Sequence, residues 1–157
     1  TDFHVLESAG PRVYGYDGAR GLLVSSNGGR AWETRTPPAA MFSLAIDPRD
    51  PDRIVTATEA GLFASADAGR RWRPLSNELA GLLAWQDSGG LVLVDGTGAS
   101  MVSDDAGRTW RPAGNIGGQP AAFISHEKDL YAALGDGSVK RSSDAGRSWS
   151  LRAAATP

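Results

Sequence analysis

The chain has 157 residues, 41% of them hydrophobic and 22% charged, with a net charge of −2 and no cysteine. That is enough for one ordinary core, while the acidic balance gives phosphate backbones nothing to adhere to, so nucleic acid is not an expected partner. The absence of cysteine excludes disulfides, zinc–thiolate sites and cysteine nucleophiles, and no apolar run approaches bilayer length, so no transmembrane segment is expected.

Taken from the N-terminus, short apolar segments bounded by Gly, Asp and Pro succeed one another with no sustained helical period. Phe3 to Leu6, Val13 to Tyr16 and Leu22 to Val24 read as three strands, and a fourth begins at Trp32. The pattern then repeats. Phe42 to Ile46, Ile54 to Ala57 and Leu62 to Ala64 lead to Trp72. Leu82 to Trp85, Leu91 to Val94 and Met101 to Val102 lead to Trp110. Ala121 to Ile124, Leu130 to Ala133 and Val139 to Lys140 lead to Trp149. The four tryptophans are spaced by 40, 38 and 39 residues. Four strands per repeat of about 40 residues is the blade of a β-propeller. The expected fold is all-β, with four consecutive four-stranded antiparallel blades spanning 2–38, 39–77, 78–115 and 116–154.

Each tryptophan closes one octet: SSNGGRAW from Ser25, SADAGRRW from Ser65, SDDAGRTW from Ser103 and SSDAGRSW from Ser142. The octet lies between the third and fourth strands and must reverse the chain. Asn27, Asp67, Asp105 and Asp144 in its third place suit an Asx turn. Gly29, Gly69, Gly107 and Gly146 in the fifth suit a positive φ. Ser25, Ser65, Ser103 and Ser142 in the first place, with a hydroxyl in the seventh, can tie the turn across. Ala31 and Arg71 interrupt that seventh place and should each cost their turn one side-chain bond. Trp32, Trp72, Trp110 and Trp149 each carry roughly 150–250 Å² of surface suited to a core. A structural role therefore outweighs a catalytic one for these aspartates. Calcium on Asp104 and Asp105 lacks enough oxygens from one loop.

These octets resemble the Asp box, or BNR repeat, S-x-D-x-G-x-[TS]-W, of sialidases, other glycoside hydrolases, sortilin-type receptors and photosystem II assembly propellers. The stretch from Ala45 to Thr58 is similar to the first-to-second strand connection of such repeats. In detail the chain is most similar to bacterial secreted glycosyl-hydrolase-like Asp-box proteins. The resemblance implies a ring of six or more blades, with the Asp boxes on the face opposite any active site. Sialidase catalysis uses three arginines, a Tyr–Glu pair and an Asp acid/base. The Phe-Arg-Ile-Pro signature is absent from the chain, and Tyr14, Tyr16 and Tyr131 lie in no such motif, so no catalytic residue carries over.

A ligand face, if there is one, should lie away from the octets, where the second-to-third strand turns and the linkers display Asp17, Arg20, Glu59, Glu78, Asp95 and Asp136. Converging carboxylates could serve acid/base chemistry on a glycoside. Asp-Gly pairs are equally the chemistry of a hairpin turn. His4 and His126 sit at comparable places in the first strands of their blades and make a weak metal pair. Trp85 is either core or a sugar platform. No cofactor and no metal are implied. The expected partners are further blades, from a longer chain or a second copy, and a protein or glycan ligand. The start at Thr1 suggests a removed upstream segment, and the expected location is extracellular, periplasmic or at the cell envelope. Two functions stand: a non-catalytic binding or scaffold propeller, and a sialidase-like glycoside hydrolase whose catalytic residues lie mostly in other blades.

Overall fold

A computed structural model describes residues 3–155. The first sheet contains β1 (Val5–Ala9), β2 (Arg12–Asp17), β3 (Gly21–Ser25) and β4 (Glu33–Arg35). The second contains β5 (Met41–Asp47), β6 (Asp50–Thr58), β7 (Gly61–Ser65) and β8 (Arg73–Ser76). The third contains β9 (Leu82–Trp85), β10 (Leu91–Val94), β11 (Ala99–Ser103) and β12 (Arg111–Asn115). The fourth contains β13 (Pro120–His126), β14 (Asp129–Leu134), β15 (Val139–Ser142) and β16 (Ser150–Ala153). Every sheet is a four-stranded antiparallel meander in chain order, and no helix occurs among the described residues. The start of the first blade at residue 2 lies outside them.

The chain forms two compact units, dividing between Ala80 and Gly81, with two blades in each. In the first, Val5, Tyr14, Tyr16, Leu22 and Val24 of blade one pack with Met41, Leu44, Ile54 and Ala68 of blade two. In the second, Ala84, Val92, Val94, Val102 and Ile116 of blade three pack with Phe123, Leu130, Ala132 and Leu134 of blade four. These sets follow from pleating: Tyr14 pairs with Val24 and Tyr16 with Leu22, so all four side chains share one face. Val92 and Val102, then Val94 and Ser100, repeat that arrangement.

Several strand boundaries differ from those the sequence suggests. The innermost strand of blade one runs from Val5 to Ala9, not from Phe3, because its register with β2 extends from Val5↔Tyr16 to Ala9↔Arg12. The pairing thus carries the polar residues Glu7 and Ser8 into the strand. Each fourth strand starts one residue after the tryptophan, which still belongs to the turn.

Candidate functional site

All four octets share one hydrogen-bond scheme. The serine hydroxyl accepts from the amide four residues on, at 2.9 Å for Gly29, 2.8 Å for Gly69, 2.7 Å for Gly107 and 2.9 Å for Gly146. It donates to Oδ1 of the third residue, at 3.0 Å for Asn27, 2.9 Å for Asp67 and 2.8 Å for both Asp105 and Asp144. That oxygen accepts the backbone amide of the seventh residue in each turn, at 2.9 Å from Ala31 and 2.8 Å from Arg71, Thr109 at 2.8 Å and Ser148 at 2.9 Å. Where the seventh residue has a hydroxyl, it donates to the other carboxylate oxygen, at 2.6 Å from Thr109 and 2.5 Å from Ser148.

The Ala31 turn lacks that last bond. The Arg71 turn does not, contrary to expectation: the guanidinium Nε donates to Asp67 Oδ2 at 3.1 Å, so a longer donor replaces the hydroxyl. The fourth place carries a feature of its own. It is left-handed in every octet, with φ of 71° at Gly28, 57° at Ala68, 61° at Ala106 and 60° at Ala145. Three alanines thus hold a strained conformation that the surrounding bonds impose. Donors around Asp105 and Asp144, first the Thr109 and Ser148 hydroxyls, lower both carboxyls to about 2.

Within each unit the octet of the second blade also docks on the first. A Cβ added at Gly69 would lie 2.6 Å from Leu22 Cδ2, and Ala68, 1% exposed, joins the core beside it. The Trp72 indole N–H donates to the carbonyl of Thr36 at 3.1 Å. The Tyr14 hydroxyl donates to the carbonyl of Pro51 at 2.6 Å, and burial pushes that phenol well above its ordinary range. Arg12 pairs with Asp52 alongside. In the second unit Ser100 takes Leu22's register place. Its hydroxyl donates to the carbonyl of Gly146 at 2.7 Å and accepts from the Gly114 amide at 2.9 Å. Gly114 passes so close that a Cβ there would lie 2.3 Å from the carbonyl oxygen of Arg147. The sequence offered no signal for Arg12–Asp52 or for Gly114, since both depend on which residues face each other across a joint.

At the other end of each blade lie the turns and linkers. In the first unit Asp17 is 7% exposed; its Oδ1 accepts from the Ala19 amide at 2.8 Å and its Oδ2 lies 3.9 Å from Arg20 Nε. Glu59 and Glu78 are exposed, Glu59 in the β6–β7 turn and Glu78 in the linker after β8. In the second unit Asp95 accepts from the Thr97 amide and hydroxyl and from the Ala99 amide, at 2.8, 2.6 and 3.0 Å. Burial opposes its ionisation, yet these donors outweigh it and lower its pKa. Asp136 accepts from the Ser138 hydroxyl at 2.6 Å and amide at 2.8 Å, and is likewise lowered. The three turn aspartates therefore brace their own hairpins.

The remaining candidates separate. His4 precedes β1 at the turn end, beside Gly18, its ring 6.4 Å from that of Tyr16. His126 ends β13 opposite Asp129, at the octet end. The two histidines are thus not at comparable places, because an innermost strand runs from one end of its blade to the other. Trp85 is 8% exposed and donates to the Gly89 carbonyl at 3.2 Å, so it belongs to the interior. Asp104 pairs with Arg111 at 2.9 Å beside a shallow hollow of about 200 Å³.

Solved structures share this architecture. A GH74 enzyme of Niastella koreensis aligns with 94% of the chain at 21% identity and a TM-score of 0.73, the match covering 23% of that protein. PorZ, described as a bacterial surface component of the type-IX secretion system of Porphyromonas gingivalis, aligns with 98% at 16% identity and a TM-score of 0.71. The chain is a β-propeller. YCF48 bound to D1 peptide aligns with 96% at 18% identity and a TM-score of 0.61. The propeller blades described here span 21% of the PorZ chain and 54% of the YCF48 chain. No protein-family profile matches the sequence, and no curated protein does.

Proposed function

We propose that these blades are Asp-box repeats of the sialidase-like kind, forming part of a larger propeller that binds a protein or glycan as a scaffold at the cell envelope. One observation carries the reading: Asp17, Asp95 and Asp136, the carboxylates best placed for chemistry on a loop face, each accept hydrogen bonds from their own turn. A general acid needs a proton near neutral pH and a raised pKa. Carboxyls lowered by hydrogen bonds, as at Asp95 and Asp136, suit turn bracing instead. Glu59 and Glu78 are exposed and can meet a ligand. The likeness to PorZ supports a place at the bacterial surface, and the likeness to peptide-bound YCF48 supports a protein or peptide ligand.

The likeness to a GH74 enzyme favours a second reading, a glycoside hydrolase whose catalytic residues lie mostly in other blades. Soluble polysaccharides and a defined peptide library, titrated against the longest natural chain, separate the two. Binding by calorimetry without new reducing ends supports the scaffold. Release of reducing ends establishes the hydrolase, and no binding to either set overturns both.

A further inference from the structure

The third place of the octet is an aspartate followed by alanine in blades two, three and four. Octet one departs at both positions, with Asn27 and then Gly28. This is the only asparagine–glycine pair in the chain, since Asn77 and Asn115 precede Glu78 and Ile116. An asparagine side chain holds an electrophilic carbon, Cγ, that can close a five-membered ring with the next backbone nitrogen. A glycine in that next position has no Cβ to crowd the approach. Asparagine is for such reasons a thermolabile residue.

The folded turn occupies both reacting groups. The Gly28 amide donates to the carbonyl of Pro11 at 2.8 Å. Asn27 Oδ1 accepts from the Ser25 hydroxyl at 3.0 Å and from the Ala31 amide at 2.9 Å, which ties the carboxamide to the first and seventh residues of its octet. Attack on Cγ requires the Gly28 nitrogen to leave Pro11 and the carboxamide to leave Ser25 and Ala31. Reaction therefore waits on local opening of the turn. Octet two makes the same backbone bond, from the Ala68 amide to the carbonyl of Asp52 at 2.9 Å, but has no carboxamide to lose.

We infer that Asn27 is a site of spontaneous deamidation that its own turn holds in check. When the turn opens, the Gly28 nitrogen gives its proton to water and bonds to Asn27 Cγ, the Cγ–Nδ2 bond breaks, and Nδ2 leaves as ammonia. Water then opens the cyclic imide at either carbonyl, leaving aspartate or isoaspartate at position 27. One water is consumed overall beyond the proton exchange, one ammonia is released, and nothing is oxidised or reduced. Aspartate supplies the third-place carboxylate that Asp67, Asp105 and Asp144 supply elsewhere, so that turn can re-form. Isoaspartate routes the backbone through the side chain and adds a methylene to it, so Ser25 and Ala31 lose their shared acceptor. The inference involves no ligand, and its test stands apart from that of the binding function.

Tryptic mass spectrometry of the 157-residue chain, aged in its folded form and in denaturant, tests it. Cleavage after Arg20 and Arg30 isolates residues 21–30, in which Asn27 is the one side-chain amide. In denaturant that peptide should gain the mass difference between an amide and an acid, and chromatography should resolve it into aspartate and isoaspartate forms. In the folded chain the gain should be slower by about tenfold or more, the ratio that local opening imposes. Gly28→Ala should keep the melting temperature, because Ala68, Ala106 and Ala145 hold the same place at φ of 57°, 61° and 60°. It should also suppress the gain in denaturant, a readout that does not depend on folding. Absence of any gain in denaturant overturns the site, and equal rates in the folded and unfolded chains overturn its protection by the turn. A gain in Gly28→Ala as fast as in the wild type overturns attack by the Gly28 nitrogen.

Discussion

The two blade joints meet one geometric demand with opposite chemistry. In the first unit Leu22 fills the space beneath the neighbouring octet, Tyr14 donates to the carbonyl of Pro51, and Arg12 pairs with Asp52. In the second unit Ser100 stands in Leu22's place and binds the octet's backbone directly, through the carbonyl of Gly146. An apolar plug tolerates small shifts, because dispersion and burial are non-directional. A hydroxyl shared between Gly146 and Gly114 does not, because hydrogen bonds weaken steeply with angle. The apolar joint should therefore depend on volume and the polar joint on alignment.

Breaking the first joint by volume should give the largest effect. Leu22→Ala empties a fully buried site and is expected to destabilise by about 3 kcal/mol, read by denaturant unfolding. In the second joint Ser100 takes Leu22's place, so the comparable test falls on the backbone beside it. Gly114→Ala places a Cβ against the carbonyl of Arg147 and should cost about 2 kcal/mol, with hydrogen-exchange protection lost across residues 81–155 before 3–80. Ser100→Ala removes one oxygen and leaves the Gly114 amide without its acceptor, while the Gly146 carbonyl keeps only the Trp149 indole. Its expected cost is about 1–2 kcal/mol, and Ser100→Thr should restore less than half because alignment is lost.

Acid sharpens the comparison most gently. Asp105 and Asp144, both in the second unit, are held at about 2, below the ordinary 3.8. The folded form thus binds fewer protons than the unfolded one. The stability these carboxylates add is complete above about pH 4 and is lost as pH falls toward 2. The first unit has Asn27 in one octet and Asp67, also lowered, in the other. Amide exchange followed from pH 5 to pH 2 should show residues 81–155 losing protection at higher pH than residues 3–80. The opposite order would contradict the assignment of Asp105 and Asp144 as turn braces.

The octets were legible before any coordinates because they are local. A serine, an Asx residue and a glycine at places one, three and five specify a turn through bonds no more than four residues apart, and the serine-to-glycine bond is present in each of the four turns. The strand count was legible for the same reason, through short apolar runs and their breakers. Less visible were the left-handed alanines at 68, 106 and 145, whose residue type gives no hint of positive φ. The replacement of a hydroxyl by Arg71 Nε was equally hidden, since it depends on where a long side chain folds back. The candidate site was read least well. His4 and His126 look alike in sequence but lie at opposite ends of their blades, because the register of each innermost strand decides which end a residue reaches.

Sequence alone determined the repeat, the all-β class and the chemistry of each turn, since these depend on neighbours within a few residues. Tertiary structure decided which turn aspartates brace their own hairpins, which residues close each joint, and which equivalent side chains stay uncovered. Leu6 and Leu44 differ in nothing a sequence can record: one lies against a neighbouring blade and the other against water. Burial is a property of the surroundings, and those are assembled only when distant segments meet.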